Sequence, residues 1–260
     1  MTAMGPQGEL LRPRRPPVWD RVGLRHPHAQ SDKAGRVRRM FDAIAGTYEL
    51  VNTLTSLGRD AYWRRQAVAL AALRDAELVL DVACGTGDLA RAFAAARRGA
   101  VVGVDFAERM LALAVGRGGP GQHWCLGDAM HLPFAAGTFS VVSCAFGVRN
   151  FQDVRAGLAD MHRVLQPGGR AVILEFSLPK QAAARALYRL YFEGLMPIAA
   201  MIVSRDRGGA YRYLPKSVVS FLDRRGLATA LHEVGFERVT THALTSGVVV
   251  VCVAWKAIHG

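Results

Sequence analysis

Cysteine is scarce. The 260-residue chain holds four, Cys84, Cys125, Cys144 and Cys252, widely separated and set in apolar runs. With no C-x-x-C pair and no Cys/His cluster, neither a zinc site nor a disulfide framework is expected, only reduced thiols in a core. Long apolar runs are also missing: the longest window, Leu195–Val203, is far short of the ~20 residues that cross a bilayer. The arginines near the start are followed by no apolar stretch, so no secretory signal is expected and the protein is placed in the cytoplasm. Acidic residues are the minority charge, 21 against 33 Lys and Arg, for a net charge of +12. Half of that excess falls in residues 1–40, where nine basic residues face only Glu9, Asp20 and Asp32. The rest is dispersed without a basic stripe or interleaved aromatics, which argues against nucleic acid as a specific partner. Hydrophobic residues, at 51%, are ample for a sizeable core.

Residues 1–33 are rich in Pro, Arg and Gly without periodicity and read as a disordered basic leader, leaving 34–260 as one domain. From Ala34 the residues Val37, Met40, Phe41, Ile44 and Tyr48 recur at helical spacing, and a second helix is expected over Ala61–Leu73. Strands are then expected at Leu78–Ala83, Val101–Phe106, His123–Leu126, Phe139–Phe146 and Ala171–Phe176. Helices are expected between them at Asp88–Arg97, Glu108–Val115 and Val154–Leu165. That alternation predicts an α/β fold with a parallel sheet covered on both faces. Two last strands, near Val239–Leu244 and Val248–Trp255, flank a Thr-Ser-Gly turn and form a hairpin, so the final strand runs antiparallel. Between residues 179 and 222 the alternation stops. Tyr188, Tyr191, Phe192, Leu195, Met196 and Met201 there mark an apolar helical insertion. It is either ordinary core or a lid over the carboxyl ends of the strands, where open α/β sheets bind ligands.

The segment LVLDVACGTGDLA (Leu78–Ala90) is a strand ending near Asp81, a glycine turn, and the start of a helix. Gly85 and Gly87 let backbone N–H groups approach a ligand closely. Asp105 ends the next strand about 20 residues on, the spacing at which a carboxylate grips ribose hydroxyls. The pair indicates an adenosine-type ligand and leaves nicotinamide, flavin and S-adenosylmethionine all open. After the third strand, Asp128 and the following backbone N–H of Ala129 are suited to read an adenine edge. The run RVLQPGG (Arg163–Gly169) reads as a helix stop, a turn and a buried strand.

Together with YELVNTLTSLGRDAYWRR (Tyr48–Arg65), FGVRN (Phe146–Asn150), RVLQPGGRAVILEFSLP (Arg163–Pro179), YRYLPKSVVSF (Tyr211–Phe221) and TSGVVVV (Thr245–Val251), these motifs resemble one family. It is the UbiE-like C-methyltransferases of ubiquinone and menaquinone biosynthesis, within the class I S-adenosylmethionine-dependent methyltransferases. The resemblance covers about Gly35–Lys256. It implies a Rossmann-like, seven-stranded, mostly parallel sheet with an antiparallel last strand, helices on both faces and residues 179–222 as a helical lid. It also implies that Thr86, Asp105, Asp128 and Ala129 line the S-adenosylmethionine site, with Asp81 at the amino-acid end. One departure is visible: some relatives carry Ser where this chain has Ala145.

The implied reaction is methylation of a ring carbon. An aromatic carbon is a weak nucleophile until an adjacent hydroxyl is deprotonated, so the acceptor should be a reduced quinol. By the resemblance, Arg149 and Asn150 would activate the acceptor, with Tyr48 positioned over the cofactor. Tyr188, Tyr191, Phe192 and Met196 are suited to line the channel for a prenylated quinol met at the membrane surface. Demethylmenaquinol is the first expectation, because the Arg- and Ala-rich composition points to a GC-rich bacterial source. A ubiquinol precursor, a small aromatic natural product and, more remotely, NAD-dependent oxidation stay open. A homodimer is compatible with the sequence.

Overall fold

The computed structural model describes residues 18–20, 23–96, 99–195 and 209–258. The chain opens with helices α1 (Lys33–Ile44), α2 (Tyr48–Thr55) and α3 (Arg59–Ala71). Alternation follows: β1 (Val79–Val82), α4 (Asp88–Ala96), β2 (Val101–Asp105), α5 (Glu108–Arg117), β3 (Gln122–Leu126) and β4 (Phe139–Ala145). After a one-turn 3-10 helix, Val148–Asn150, come α6 (Val154–Val164) and β5 (Leu165–Phe176). The remainder is α7 (Ala182–Arg189), a π-helical turn Leu190–Leu195, α8 (Ala210–Val219), α9 (Arg224–Glu233), β6 (Arg238–Leu244) and β7 (Val249–Trp255).

One seven-stranded sheet has the order β3-β2-β1-β4-β5-β7-β6. Its strands are parallel except β7, which runs antiparallel to both β5 and β6. The order reverses between β1 and β4, and a crevice opens there at the carboxyl ends of both strands. Both faces of the sheet are buried, as its near-continuous apolar strands require. On one face Leu80, Val82, Val142 and Ile173 pack against Leu158 and Met161 of α6 and Leu227 and Leu231 of α9. On the other, Val79, Val141, Val172 and Leu174 pack against Trp63 and Ala67 of α3 and Leu89 and Phe93 of α4. A third cluster caps the carboxyl edge and joins Trp19, Val37, Met40, Val51, Tyr188 and Tyr213.

Helix α6 starts where the crevice-lining turn ends. Its N-cap, Asp153, has extended backbone and its Oδ1 accepts the Ala156 N–H at 3.0 Å. That bond satisfies one orphan donor of the first turn. Asp153→Ala is expected to cost about 1 kcal/mol, read as a lowered urea midpoint with an unchanged slope.

All seven expected strands are present in the expected order, and the hairpin reverses the last one. Three boundaries differ. β5 begins at Leu165, six residues early, because Gly168 takes a left-handed φ of +73° and lets the strand run through the Pro-Gly-Gly turn with a register shift. Tyr48 does not extend α1 but starts α2, the chain turning at Ala45–Thr47. The ordered fold also begins upstream of Ala34. Trp19 is buried and stacked on Tyr213 with ring centroids 4.4 Å apart, and Lys33 is buried with its Nζ donating to the Phe151 carbonyl at 2.5 Å. Burial pushes the Lys33 amine down to about 8. Residues 1–17, the greater part of the expected leader, lie outside the described residues.

Candidate active site

Three connected hollows occupy the crevice, and Tyr48 and Phe146 line all of them. The first is an acidic recess bounded by Gly85, Asp105, Phe106, Met110, Asp128, Ala129, Ala145 and Asn150. An inner recess lies against Asp81, Thr86, Asp88 and Arg64. Beyond Tyr48 and Phe146 an aromatic cavity of about 220 Å³ is walled by Trp63, Phe176, Tyr188, Tyr191 and Tyr213, with Arg149 in its lining.

The glycine turn is built by two different constraints. Gly85 has a φ of +57°, and a Cβ there would meet no atom within 4 Å, so the backbone faces open space in both recesses. Gly87, at φ +86°, is demanded by packing: a Cβ would lie 2.5 Å from Cη2 of Trp124. The glycine requirement at Gly87 is therefore set by its packing on Trp124 within the turn.

Asp105 ends β2 with its side chain turned back on that turn. Its Oδ2 accepts the Gly85 N–H at 2.7 Å and its Oδ1 the Ala107 N–H at 2.8 Å. Of the carboxylate's four lone-pair sites the backbone amides of Gly85, Phe106 and Ala107 use three, leaving an acceptor position for a ligand hydroxyl. Burial pushes the carboxyl up to about 6. Asp128 is held by the Met130 N–H on Oδ1 at 3.0 Å, next to Ala129 on the rim of the same recess.

Asp81 is buried at the end of β1. Its Oδ1 accepts from Ser143 Oγ at 2.8 Å, whereas its buried Oδ2 has no hydrogen-bond partner. Desolvation pushes this carboxyl up to about 7. An orphaned carboxylate oxygen in the inner recess is the donor-set feature that an ammonium group fits. Asp81, Asp105 and Asp128 thus follow one another along the crevice, and the residues present fit S-adenosylmethionine.

Arg149 and Asn150 sit in the 3-10 turn after β4. That turn leaves the sheet through Phe146, held at a left-handed φ of +56°, and Gly147, where a Cβ would lie 2.6 Å from Cys144 Sγ. The Arg149 guanidinium is 4% exposed, donates to Glu175 Oε1 and to the Phe146 carbonyl, each at 2.6 Å, and lies over the Phe176 ring. Its Nε–H is buried without a partner. Arg149, expected to activate the acceptor as a fixed cation, is half of a buried ion pair with Glu175 at the end of β5. It therefore offers an oriented N–H donor more than a net charge. Asn150 donates Nδ2–H to the Phe146 carbonyl at 3.2 Å and accepts from the Tyr213 hydroxyl at 2.9 Å. Burial raises the Tyr48 phenol above its ordinary pKa, so it stays protonated.

Two residues important to this geometry, Glu175 and Arg64, lie in the motif stretches but are not singled out by the sequence. Arg64 bridges Asp60 Oδ2 at 2.6 Å and Asp88 Oδ2 at 3.2 Å at the border of the inner recess and the aromatic cavity. Of the expected lining residues, Tyr188 and Tyr191 wall the aromatic cavity, and Tyr191 donates its hydroxyl to the Thr55 carbonyl at 2.9 Å. The side chain of Phe192 and the whole of Met196 lie outside the described residues.

The model of the ubiE/COQ5 methyltransferase family matches residues 29–256. The chain belongs to that family. Among its family relatives, the demethylmenaquinone methyltransferase of Deinococcus radiodurans is 43% identical over 238 residues, covering 90% of this chain and 94% of the relative. The Thermus thermophilus protein of the same name is 44% identical over 213 residues, covering 80% and 96%. The Geobacter sp. (strain M21) ubiquinone/menaquinone biosynthesis C-methyltransferase UbiE is 40% identical over 236 residues, covering 88% and all of the relative. Solved methyltransferases share the fold of this ubiE/COQ5-family chain. One is the putative methyltransferase in complex with the Haloferax volcanii Trm112 activator, with TM-score 0.61, 14% identity, and 84% and 97% coverage. Another is an S-adenosylmethionine-dependent methyltransferase of Thermotoga maritima, with TM-score 0.58, 18% identity, and 84% and 99% coverage.

Proposed function

We propose that the protein transfers a methyl group from S-adenosylmethionine to a ring carbon of a prenylated quinol, with demethylmenaquinol as acceptor. The observation that carries this reading is the division of the crevice. A recess of carboxylates and backbone amides meets an aromatic cavity across Tyr48 and Phe146, and Arg149 and Asn150 stand at that junction. Family membership supports the donor, and the names of the relatives favour the naphthoquinol over a benzoquinol.

When bound, S-adenosylmethionine supplies an electrophilic methyl group. The chain does the rest. Asp81, Asp105 and Asp128 would hold the donor's ammonium, ribose hydroxyls and adenine. The Arg149 Nε–H and an Asn150 N–H are the donors suited to the acceptor's ring oxygen as negative charge develops on it, which raises the nucleophilicity of the neighbouring carbon. Phe146, Phe176, Tyr188 and Tyr191 keep water from the junction and hold the flat ring.

Contact with a membrane surface belongs to the same reading. Leu57, 79% exposed, lines the aromatic cavity, and Leu54 and Leu190, 50% and 66% exposed, flank Thr55 and Tyr191 beside it. These side chains give a prenyl tail an apolar path from lipid to cavity.

The test is a mass-spectrometric assay with S-adenosylmethionine and demethylmenaquinol supplied reduced. Mass gain of one methyl group is expected, with turnover at least tenfold above that on the demethylated benzoquinol precursor, and none on oxidised demethylmenaquinone. Preference for the benzoquinol would move the acceptor, and turnover of neither quinol would overturn the function.

A further inference from the structure

Asn150 has four hydrogen-bonding positions, two N–H and two lone pairs, and the structure shows where two of them point. A carbonyl oxygen only accepts, so the 3.2 Å contact to the Phe146 carbonyl must be made by Nδ2 of the amide. The amide oxygen is thereby turned the other way, toward α8, where it meets the Tyr213 hydroxyl at 2.9 Å. That hydroxyl comes from the cap over the crevice, not from the sheet. Tyr213 is 1% exposed, and its ring is stacked on Trp19 at an interplanar angle of 24°. Asn150 is 7% exposed and lines the acidic recess. With one N–H on Phe146 and the oxygen turned to Tyr213, the second Nδ2–H is the donor it has left.

We infer that Tyr213 is a positioning residue. Its hydroxyl pins the Asn150 amide so that an N–H, not the carbonyl oxygen, meets the acceptor's ring oxygen. The inference rests on the methyl-transfer reading above and adds the residue that sets the polarity of that contact. A reversed amide would place a lone pair against a developing phenolate and repel it. Burial holds the Tyr213 phenol above its ordinary pKa, so it donates throughout the working range. Because Tyr213 is seated by Trp19, packing of the upstream segment and orientation of Asn150 are one structural event. The junction is therefore complete only with the cap in place.

A double-mutant cycle on the full chain tests this. Tyr213→Phe keeps the ring and its stack and removes only the hydroxyl. It is expected to lower kcat by roughly 10- to 100-fold, with S-adenosylmethionine affinity by calorimetry unchanged. In an Asn150→Ala background the same change is expected to do almost nothing, since there is no amide left to orient. Equal losses in both backgrounds, or a loss of donor affinity that parallels kcat, would overturn the inference and leave Tyr213 as packing. Should Tyr213→Phe fail to fold, the pair is read from the other side. Asn150→Asp still accepts from Tyr213 but has no N–H to give, and at saturating donor is expected to lose as much kcat as Asn150→Ala. Retained turnover in Asn150→Asp also overturns the inference. An inactive wild type overturns the functional reading along with this one, whereas an active wild type with additive variants overturns this one alone.

Discussion

Arg149→Ala is expected to lower kcat for methyl transfer by about 1,000-fold while S-adenosylmethionine affinity stays within about twofold of native. The guanidinium reaches the aromatic cavity and is absent from the lining of the acidic and inner recesses, so the donor's contacts survive its removal. The transition-state oxyanion loses its preoriented Nε–H. There is a second cost. Glu175, 1% exposed, would be left buried without its partner, and breaking such a pair from one side costs about 3–5 kcal/mol of stability. Activity loss and unfolding must therefore be separated. The double variant Arg149→Met with Glu175→Gln removes both charges and is expected to regain most of the lost stability and none of the activity. If the double variant recovers turnover as well, Arg149 acts only through folding. The measurements are single-turnover rates, calorimetry with the donor, and thermal melts of all three proteins.

The second large effect concerns Asp81 and runs in opposite directions for binding and stability. In the free protein burial has raised this carboxyl from 3.8 to about 7. Between those values the folded group keeps a proton that the unfolded group has lost, so this site subtracts stability as pH rises and the full penalty is present above about pH 7. Asp81→Asn is nearly isosteric and carries no charge. It is expected to stabilise the unliganded protein by roughly 2–4 kcal/mol at pH 8, with the gain vanishing near pH 4. The same change removes the counter-charge for the donor's ammonium and is expected to weaken S-adenosylmethionine binding about 100-fold at pH 8. In the native protein, donor affinity should rise with pH toward about 7 as the carboxylate ionises and fall again above about 8, where the donor's own α-ammonium loses its proton. Thermal melts and calorimetry across pH 5–8.5 check both. A pH-independent donor affinity would remove Asp81 from the ammonium site.

Much of this architecture is legible because the signals are local. The apolar strands announce themselves as runs buried on both faces, and the Gly85-to-Asp105 spacing encodes a contact that the backbone makes directly, Gly85 N–H to Asp105. What escapes the sequence depends on residues far apart in the chain. Glu175 is 26 positions from Arg149 and Tyr213 is 63 from Asn150, and no periodicity links either pair. Helix α8 lies inside the expected helical insertion and carries Pro215 within it. Trp19 lies in a segment whose Pro- and Arg-rich composition reads as disorder, yet its ring is covered by the cap. At Gly87 the sequence pattern does not reveal a packing demand: a Cβ there would clash with Trp124.

The reversed direction of β7 decides where the chain can be extended. A parallel seventh strand would deliver its end to the reaction edge; this one begins there, placing Thr245 where its hydroxyl accepts the Trp63 indole N–H at 2.7 Å, and finishes at Trp255 on the far side. A label, tag or surface tether fused beyond Trp255 thus leaves from the edge remote from substrate.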